Sequence, residues 1–363
     1  MSAPNDDGAG TGTALRVQPG VDARQVRPPR PPQKRRVYTT DEFVSGVLAC
    51  DRVVLGRAFT LLESARQSDR DQAEELLRRV MPHSGGAVRL AVSGAPGVGK
   101  SSFIERLGLH LIETGRRVAV LAIDPSSEIS GGSVLGDKTR MLELARSPHA
   151  LVRPSPSGRH RGGVARRTRE LIFLAEAAGF DVVIVETIGV GQSETQAASM
   201  VDTFLLLLMP GAGDELQGVK RGVMELVDLV AINKADGDNE QPAELARAQF
   251  EQALRMLRPS RDGWRPRVLT CSALTGRGVG AVWQAALDHR AFLDPEGRLA
   301  ARRRRQDASW FREAVEALLW ERIERRSERD LTALEAQVVA GELSAAAAAR
   351  LAVDAVLPPD EAT

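Results

Sequence analysis

The sequence predicts an α/β fold: a doubly wound, mostly parallel sheet flanked by helices, with a helical arm before it and a helical extension after it. Three observations predict this. Short apolar runs of strand length recur at residues 88–92, 118–123, 182–185, 204–209, 229–232 and 268–271. They are rich in Leu and β-branched residues, as strands buried on both faces are. Helix-period stretches such as 163–178 and 242–257 separate them, the alternation of βα units. Each chemistry-bearing segment also falls just after one of these runs, at the strand ends where such sheets bind ligands.

Along the chain, residues 1–37 are rich in Gly, Pro, Asp and Arg and have little to bury, so they read as a disordered tail. Its Arg27–Pro32 run suits a docking peptide or, more simply, a solvated tail. Residues 38–84 form the N-terminal helical arm. Thr40, Asp41 and Glu42 have capping chemistry, Val44, Val47 and Leu48 follow at helical spacing, and 55–64 and 69–80 are further helices. Residues 85–296 are the α/β domain that carries the apolar runs, and 297–363 a C-terminal helical arm. There Arg302 to Arg305 read as a solvated helix start, followed by Phe311, Val315, Leu318, Leu319 and Ile323 at helical spacing and by stretches at 331–339 and 344–356. These helices carry more apolar surface than a hairpin hides. They pack back on the core or pair with a second copy.

Bulk properties exclude several classes. A hydrophobic content of 43% supports a large core, and a net charge of +1 provides no footprint for nucleic acid or an anionic membrane. Cys50 and Cys271 lie far apart, against a disulfide framework or zinc site. No apolar run approaches the roughly 18 residues of a membrane span, and no apolar signal core opens the chain. A cytoplasmic protein is expected.

The central motif is Gly94-Ala95-Pro96-Gly97-Val98-Gly99-Lys100-Ser101, a G-x-x-x-x-G-K-S sequence between an apolar run and a helix with Ile104, Leu107 and Leu111 on one face. That is the context of a phosphate-binding loop. Its glycines let backbone N–H groups converge on phosphate, at a helix N-terminus whose dipole favours an anion. Lys100 would reach the β- and γ-phosphates, Ser101 would ligate Mg²⁺, and Ser102 completes the nucleotide-binding run.

Asn233-Lys234-Ala235-Asp236 follows the run at 229–232. In N-K-x-D the Asp carboxylate accepts from guanine N1–H and the N2 amine, donors that adenine lacks. Asn233 would tie this segment to the phosphate loop and the Lys234 stem would cover the base. Ser272-Ala273-Leu274 would bring backbone N–H groups to guanine O6. Together with the phosphate loop, these residues indicate GTP rather than ATP. Asp124 and Glu186 close two strands, where Mg²⁺ and its waters are held. Gly189 would offer its N–H to the γ-phosphate. Gln192 either positions a water or sits in a solvated loop. Residues 131–141, with Asp137, Lys138 and Arg140, suit a segment ordered by nucleotide. The loop at 210–218, after the run at 204–209, is a candidate relay to a partner.

These segments resemble the MeaB/ArgK-like family of P-loop GTPases from about Thr40 onward. The resemblance rests on GAPGVGKSS, DPSS followed by GGSVLGDKTRM, the PSPSG loop, VIVETIGVGQSE, PGAGDELQGVKRG and NKAD. It implies a G-protein chaperone that gates adenosylcobalamin loading and protects or reactivates an acyl-CoA mutase, chiefly methylmalonyl-CoA mutase. It also implies a homodimer joined through C-terminal helices and slow hydrolysis that the mutase accelerates. Lys100, Asp137 and Glu186 would then be catalytic, with Ser101, Asp124, Asp137 and Glu186 around Mg²⁺. The first switch would lie at 131–141, the second at 186–194 and a third at 211–222. One departure stands out: Glu128-Ile129-Ser130 replaces a segment that bears Thr or Arg in many members. Glu cannot neutralise phosphate there.

Two alternative functions suit a nucleotide-binding fold of this kind. A kinase of an amino-acid (LAO/AO) transport system would need an acceptor site and a base for a side-chain hydroxyl, and no distinct residue set provides them. A nickel metallochaperone GTPase would need clustered His and Cys. The five histidines, His83, His110, His149, His160 and His289, are instead scattered.

Overall fold

The computed structural model describes residues 36–64, 66–123, 141–153, 163–187, 193–211, 221–256, 260 and 262–355. Thr39–Thr363 forms one unit, apart from Met1–Tyr38. Within it lie β1 (Val88–Gly94), β2 (Val118–Ile123), β3 (Ala150–Arg153), β4 (Val182–Thr187), β5 (Thr203–Leu208), β6 (Leu229–Ile232) and β7 (Arg267–Thr270). They pair in the order β3-β2-β4-β1-β5-β6-β7, every neighbouring pair parallel. Each residue of β1, β2, β4, β5 and β6 is buried, which explains their unbroken apolar character. β3 was not expected from the sequence. It is a four-residue edge strand, mostly half-buried and too short to stand out.

Helices cover both faces. They are α1 (Thr40–Leu48), α2 (Arg52–Leu62), α3 (Gln67–Val80), α4 (Lys100–Glu113), α5 (Leu142–Arg146), α6 (Gly163–Ala177), α7 (Ser193–Ala198), α8 (Arg221–Met224), α9 (Glu240–Met256), α10 (Val279–Leu293), α11 (Arg298–Val339) and α12 (Ala345–Asp354). On one side, Phe103, Ile104, Leu107 and Leu111 of α4 and Val282, Trp283 and Ala286 of α10 pack with β1, β5 and β6 in one core. The arm helices α1–α3 pack on one another and on α6. Thr39 starts α1 with a capping box, its hydroxyl accepting from Glu42 N and its N–H donating to the Glu42 carboxylate. Asp51 caps α2, and Arg52 beside it donates to the carbonyls of Ser147 and Ala150, pinning the arm to the β3 edge.

The C-terminal region differs from its sequence reading in two ways. The stretches through Ile323 and at 331–339 are one 42-residue helix, α11, because no Gly or Pro interrupts 298–339. Nor are Arg302 and Arg303 solvated, although Arg304 and Arg305 are exposed. Arg302 donates to both carboxylate oxygens of Asp228, Arg303 donates twice to Asp202, and Arg305 pairs with Asp262 at 2.6 Å. Asp202 and Asp228 directly precede β5 and β6, and each accepts a strand N–H from Arg89 or Phe204. Four consecutive arginines look like a wetted face until the fold brings buried carboxylates beneath two of them. Beyond this anchor, Phe311, Val315, Leu318, Leu319 and Trp320 are exposed, while α12 folds back so that Ala352 meets Ile323, Leu331 and Leu334.

Candidate nucleotide site

The site is built at the carboxyl end of β1, the strand between β4 and β5. β1 ends at Gly94, whose φ of +150° and missing Cβ are both required. A Cβ there would stand 2.4 Å from the Leu207 carbonyl of β5. The loop turns through Gly97 and enters α4 at Lys100, with Gly99 in the left-handed region at φ +95°. Lys100 Nζ donates to the carbonyls of Gly94 (2.7 Å) and Ala95 (3.1 Å), so the ammonium lies over its own loop. Pro96, Gly97 and Ser102 face solvent, whereas Val98 and Ser101 are buried.

Ser101 Oγ donates to Glu186 Oε1 at 2.9 Å. Glu186 is buried near the end of β4, in register with Val92 of β1 and Ala122 of β2. Next to it, Thr187 Oγ1 donates to Ser93 Oγ at 2.9 Å, joining β4 to β1. A hydroxyl and a carboxylate in contact form a hard-oxygen donor set, the chemistry Mg²⁺ takes. The extra methylene of Glu relative to Asp does not prevent the contact. β2 ends at Ile123, opposite Thr187. Asp124, Asp137, Gly189, Gln192 and the 128–130 departure lie outside the described residues.

Asn233 organises the base end. Its Nδ2 donates to the Val98 carbonyl at 2.8 Å, and its Oδ1 accepts from Ala273 N at 3.0 Å. A Cβ on Gly99 would lie 2.7 Å from that Nδ2, so the third loop glycine makes room for the amide. One buried side chain thus ties the phosphate loop to the 272–274 loop. Lys234 adopts φ +61°, rare for a non-glycine residue and a mark of local constraint at a site. Ala235 N donates to the Cys271 carbonyl, and Arg277 donates to the Ala235 carbonyl at 2.6 Å and to Glu240 at 2.8 Å. Burial pushes the Cys271 thiol up to about 12, leaving it a neutral packing group.

Lys234 and Asp236 line a cavity of about 460 Å³ with Gly99, Ser102, Glu105, Arg106, Glu143, Asn233, Ala273 and Leu274. The structure therefore gathers the phosphate loop, N-K-x-D and the 272–274 loop around one cavity. Sequence reasoning missed Arg106, Arg277, Glu105 and Glu143. Arg106 and Glu105 sit on the outward face of α4, where periodicity alone reads them as solvated. Among the described residues, no group of three or more His, Cys, Asp or Glu side chains is placed to hold a metal ion. No helix among them is long and apolar enough to cross a membrane.

A parallel seven-stranded sheet carrying this loop on β1 and N-K-x-D beyond β6 defines a P-loop GTPase. Residues 55–328 match the family model described as methylmalonyl-CoA mutase-associated GTPase MeaB, and the chain belongs to that family. It is 51% identical to GTPase ArgK of Escherichia coli over 278 residues, 77% of this chain and 84% of that protein. It is 42% identical to a mitochondrial methylmalonic aciduria type A homologue of Mus musculus over 327 residues, 87% of this chain and 79% of the other. A crystal structure described as an LAO/AO transport system kinase superposes with a TM-score of 0.70 at 39% identity, covering 89% of this chain and 99% of the other.

Proposed function

We propose that this GTPase is a G-protein chaperone of an adenosylcobalamin-dependent acyl-CoA mutase, with methylmalonyl-CoA mutase the first client to test. It acts in the cytoplasm and gates cofactor loading and reactivation of its client. The nucleotide chemistry rests on one observation: Ser101 Oγ and Glu186 Oε1 meet at 2.9 Å beside the loop carrying Lys100. The client rests on the family to which the chain belongs.

In this reading, backbone N–H groups of the loop from Gly97 to Ser101 hold the β-phosphate. Lys100 leaves the carbonyls of Gly94 and Ala95 for the β- and γ-oxygens. Ser101, Glu186, Asp124 and Asp137 would hold Mg²⁺, which would supply positive charge against that developing on the phosphates. Asp236 reads the guanine N1–H and N2 amine, Asn233 holds the base loops to the phosphate loop, and the Lys234 stem covers the base. Gly189 reports the γ-phosphate to the second switch. Water attacks the γ-phosphate, and catalysis is mainly positioning and electrostatics. Two copies pair through the exposed apolar face at Phe311–Trp320 of α11, a surface that a lone chain leaves wet.

The test is binding and turnover with purified mutases. Methylmalonyl- or isobutyryl-CoA mutase should bind the chain in a nucleotide-dependent way and raise its GTP hydrolysis. No binding and no acceleration by either enzyme would overturn the client assignment. Stable transfer of labelled phosphate from GTP to a transport binding protein would support a kinase instead.

A further inference from the structure

The 272–274 loop has three backbone N–H groups, and two are committed within the protein. Ser272 N donates to the Arg277 carbonyl at 2.9 Å and Ala273 N to Asn233 Oδ1 at 3.0 Å. Among the described residues no hydrogen bond uses the Leu274 N–H. The Leu274 side chain is 76% exposed, so its own packing does little to fix that peptide.

Arg106 on α4 reaches across to this loop. Its Nε donates to the Ala273 carbonyl at 3.3 Å and its Nη2 to the Leu274 carbonyl at 3.0 Å. The stem lies along the same turn, where a Cβ on Gly276 would stand 3.5 Å from Arg106 Cδ. The Ala273 carbonyl and the Leu274 N–H belong to one planar trans peptide and point in opposite directions. Holding the carbonyl therefore sets the direction of the N–H on the other edge. Both carbonyls are held by one planar guanidinium, whose fork fixes two acceptors at once where an ammonium would hold one.

We propose that Arg106 is the positioning residue that aims the Leu274 N–H at the base, and so determines recognition of a 6-oxopurine. This rests on the base-site reading of Asp236 and deepens it. Guanine is read by two separate devices: Asp236 takes N1–H and the N2 amine, and the Arg106-held peptide donates to O6. Because Arg106 is exposed and α4 starts at Lys100, the residue links base selection to the helix that opens the phosphate loop.

The experiment compares dissociation constants of GDP, inosine diphosphate, 6-thioguanosine diphosphate and ADP for the full chain and for Arg106→Ala, Arg106→Lys and Asp236→Asn. Inosine lacks the N2 amine, and 6-thioguanine replaces O6 by a weaker acceptor. The unmodified chain should prefer GDP over the 6-thio analogue about two- to tenfold, the range of one hydrogen bond. Arg106→Ala should bring that ratio near one while keeping the preference for GDP over inosine diphosphate and leaving ADP binding unchanged. Arg106→Lys should fall between. Asp236→Asn should show the reverse pattern, losing discrimination against inosine. A 6-thio ratio that stays the same in Arg106→Ala, or GDP and ADP weakening in parallel, would overturn the proposal. If Asp236→Asn keeps its inosine discrimination, the base-site reading itself fails, whatever Arg106 does. Should Arg106→Ala lose its thermal unfolding transition, Arg106→Lys carries the comparison.

Discussion

The two ends of the central sheet solve opposite problems. At the carboxyl ends of the strands, the loops are held largely through neutral partners: backbone amides and carbonyls, the Asn233 side chain and the Ser93–Thr187 hydroxyl pair, with Arg106 and Arg277 bonding to loop carbonyls rather than to buried carboxylates. Charge there, on Lys100, Glu186 and Asp236, lies at the phosphate loop or faces the cavity. At the amino ends the charges are buried and satisfied inside the protein. Arg89 of β1 grips Glu176 of α6 with two hydrogen bonds of 2.8 and 2.7 Å, and Asp202 and Asp228 receive Arg303 and Arg302 of α11. At one end charge meets backbone carbonyls or lines the cavity, while at the other it is paired ion to ion inside the protein. Charge in this molecule is not a property of surface alone.

The largest effect should come from breaking the fastened end. Burial raises the Asp202 carboxyl, but hydrogen bonding and attraction from Arg303 outweigh it, and the group is held below the usual carboxylate range. Asp202→Ala would strand Arg303 and is expected to cost about 3–5 kcal/mol in denaturant unfolding. A loss under about 1 kcal/mol would mean the two ends are not so different. Nucleotide affinity of the folded fraction should remain.

Lys100→Ala is the converse. GTP turnover should drop about 10²–10³-fold while unfolding shifts by no more than about 0.5 kcal/mol. Unchanged turnover would remove Lys100 from the site.

A smaller, pH-dependent effect is expected at His289. Its Nε2 stands 3.4 Å from Asp228 Oδ1 and its Nδ1 is 2.9 Å from Thr203 Oγ1. Burial lowers its pKa, with Arg302 adding to the shift and Asp228, Asp202 and Asp262 opposing it. The unfolded chain, near its ordinary value of about 6.5, takes up a proton that the folded chain refuses. Stability should therefore decline as pH falls from 7 through about 6, and His289→Gln should flatten that decline. An identical slope in the variant would place the acid sensitivity elsewhere.

The smallest effect belongs to exposed pairs such as Arg267–Asp288 at 2.7 Å. Asp288→Asn should cost about 0.2–1 kcal/mol and fade in high salt.

The same contrast separates what was legible in the sequence from what was not. β2 and β6 were readable to the residue, because strands buried on both faces leave solid apolar runs. The phosphate loop and N-K-x-D were readable because their chemistry is local and ordered. β3 was not, being an edge strand of four residues. Arg302 and Arg303 were misread because their partners lie 74 and 101 residues away in sequence. Arg106 was invisible for a related reason: its acceptors are backbone carbonyls 167 and 168 residues on, and no residue type announces a carbonyl. Pattern shows which faces are apolar, and topology decides which distant charges meet.

α11 can finally be viewed as a mast. At 42 residues it is about 63 Å long, stepped into the sheet by Arg302 and Arg303. Glu321, about 28 Å up, is stayed to Arg70 of α3 at 2.7 Å. A tilt of about 5° at the step would carry Glu321 roughly 2.5 Å, enough to part that stay. The first arm of the chain and the last are therefore rigged together, and neither can lean far without slackening the other.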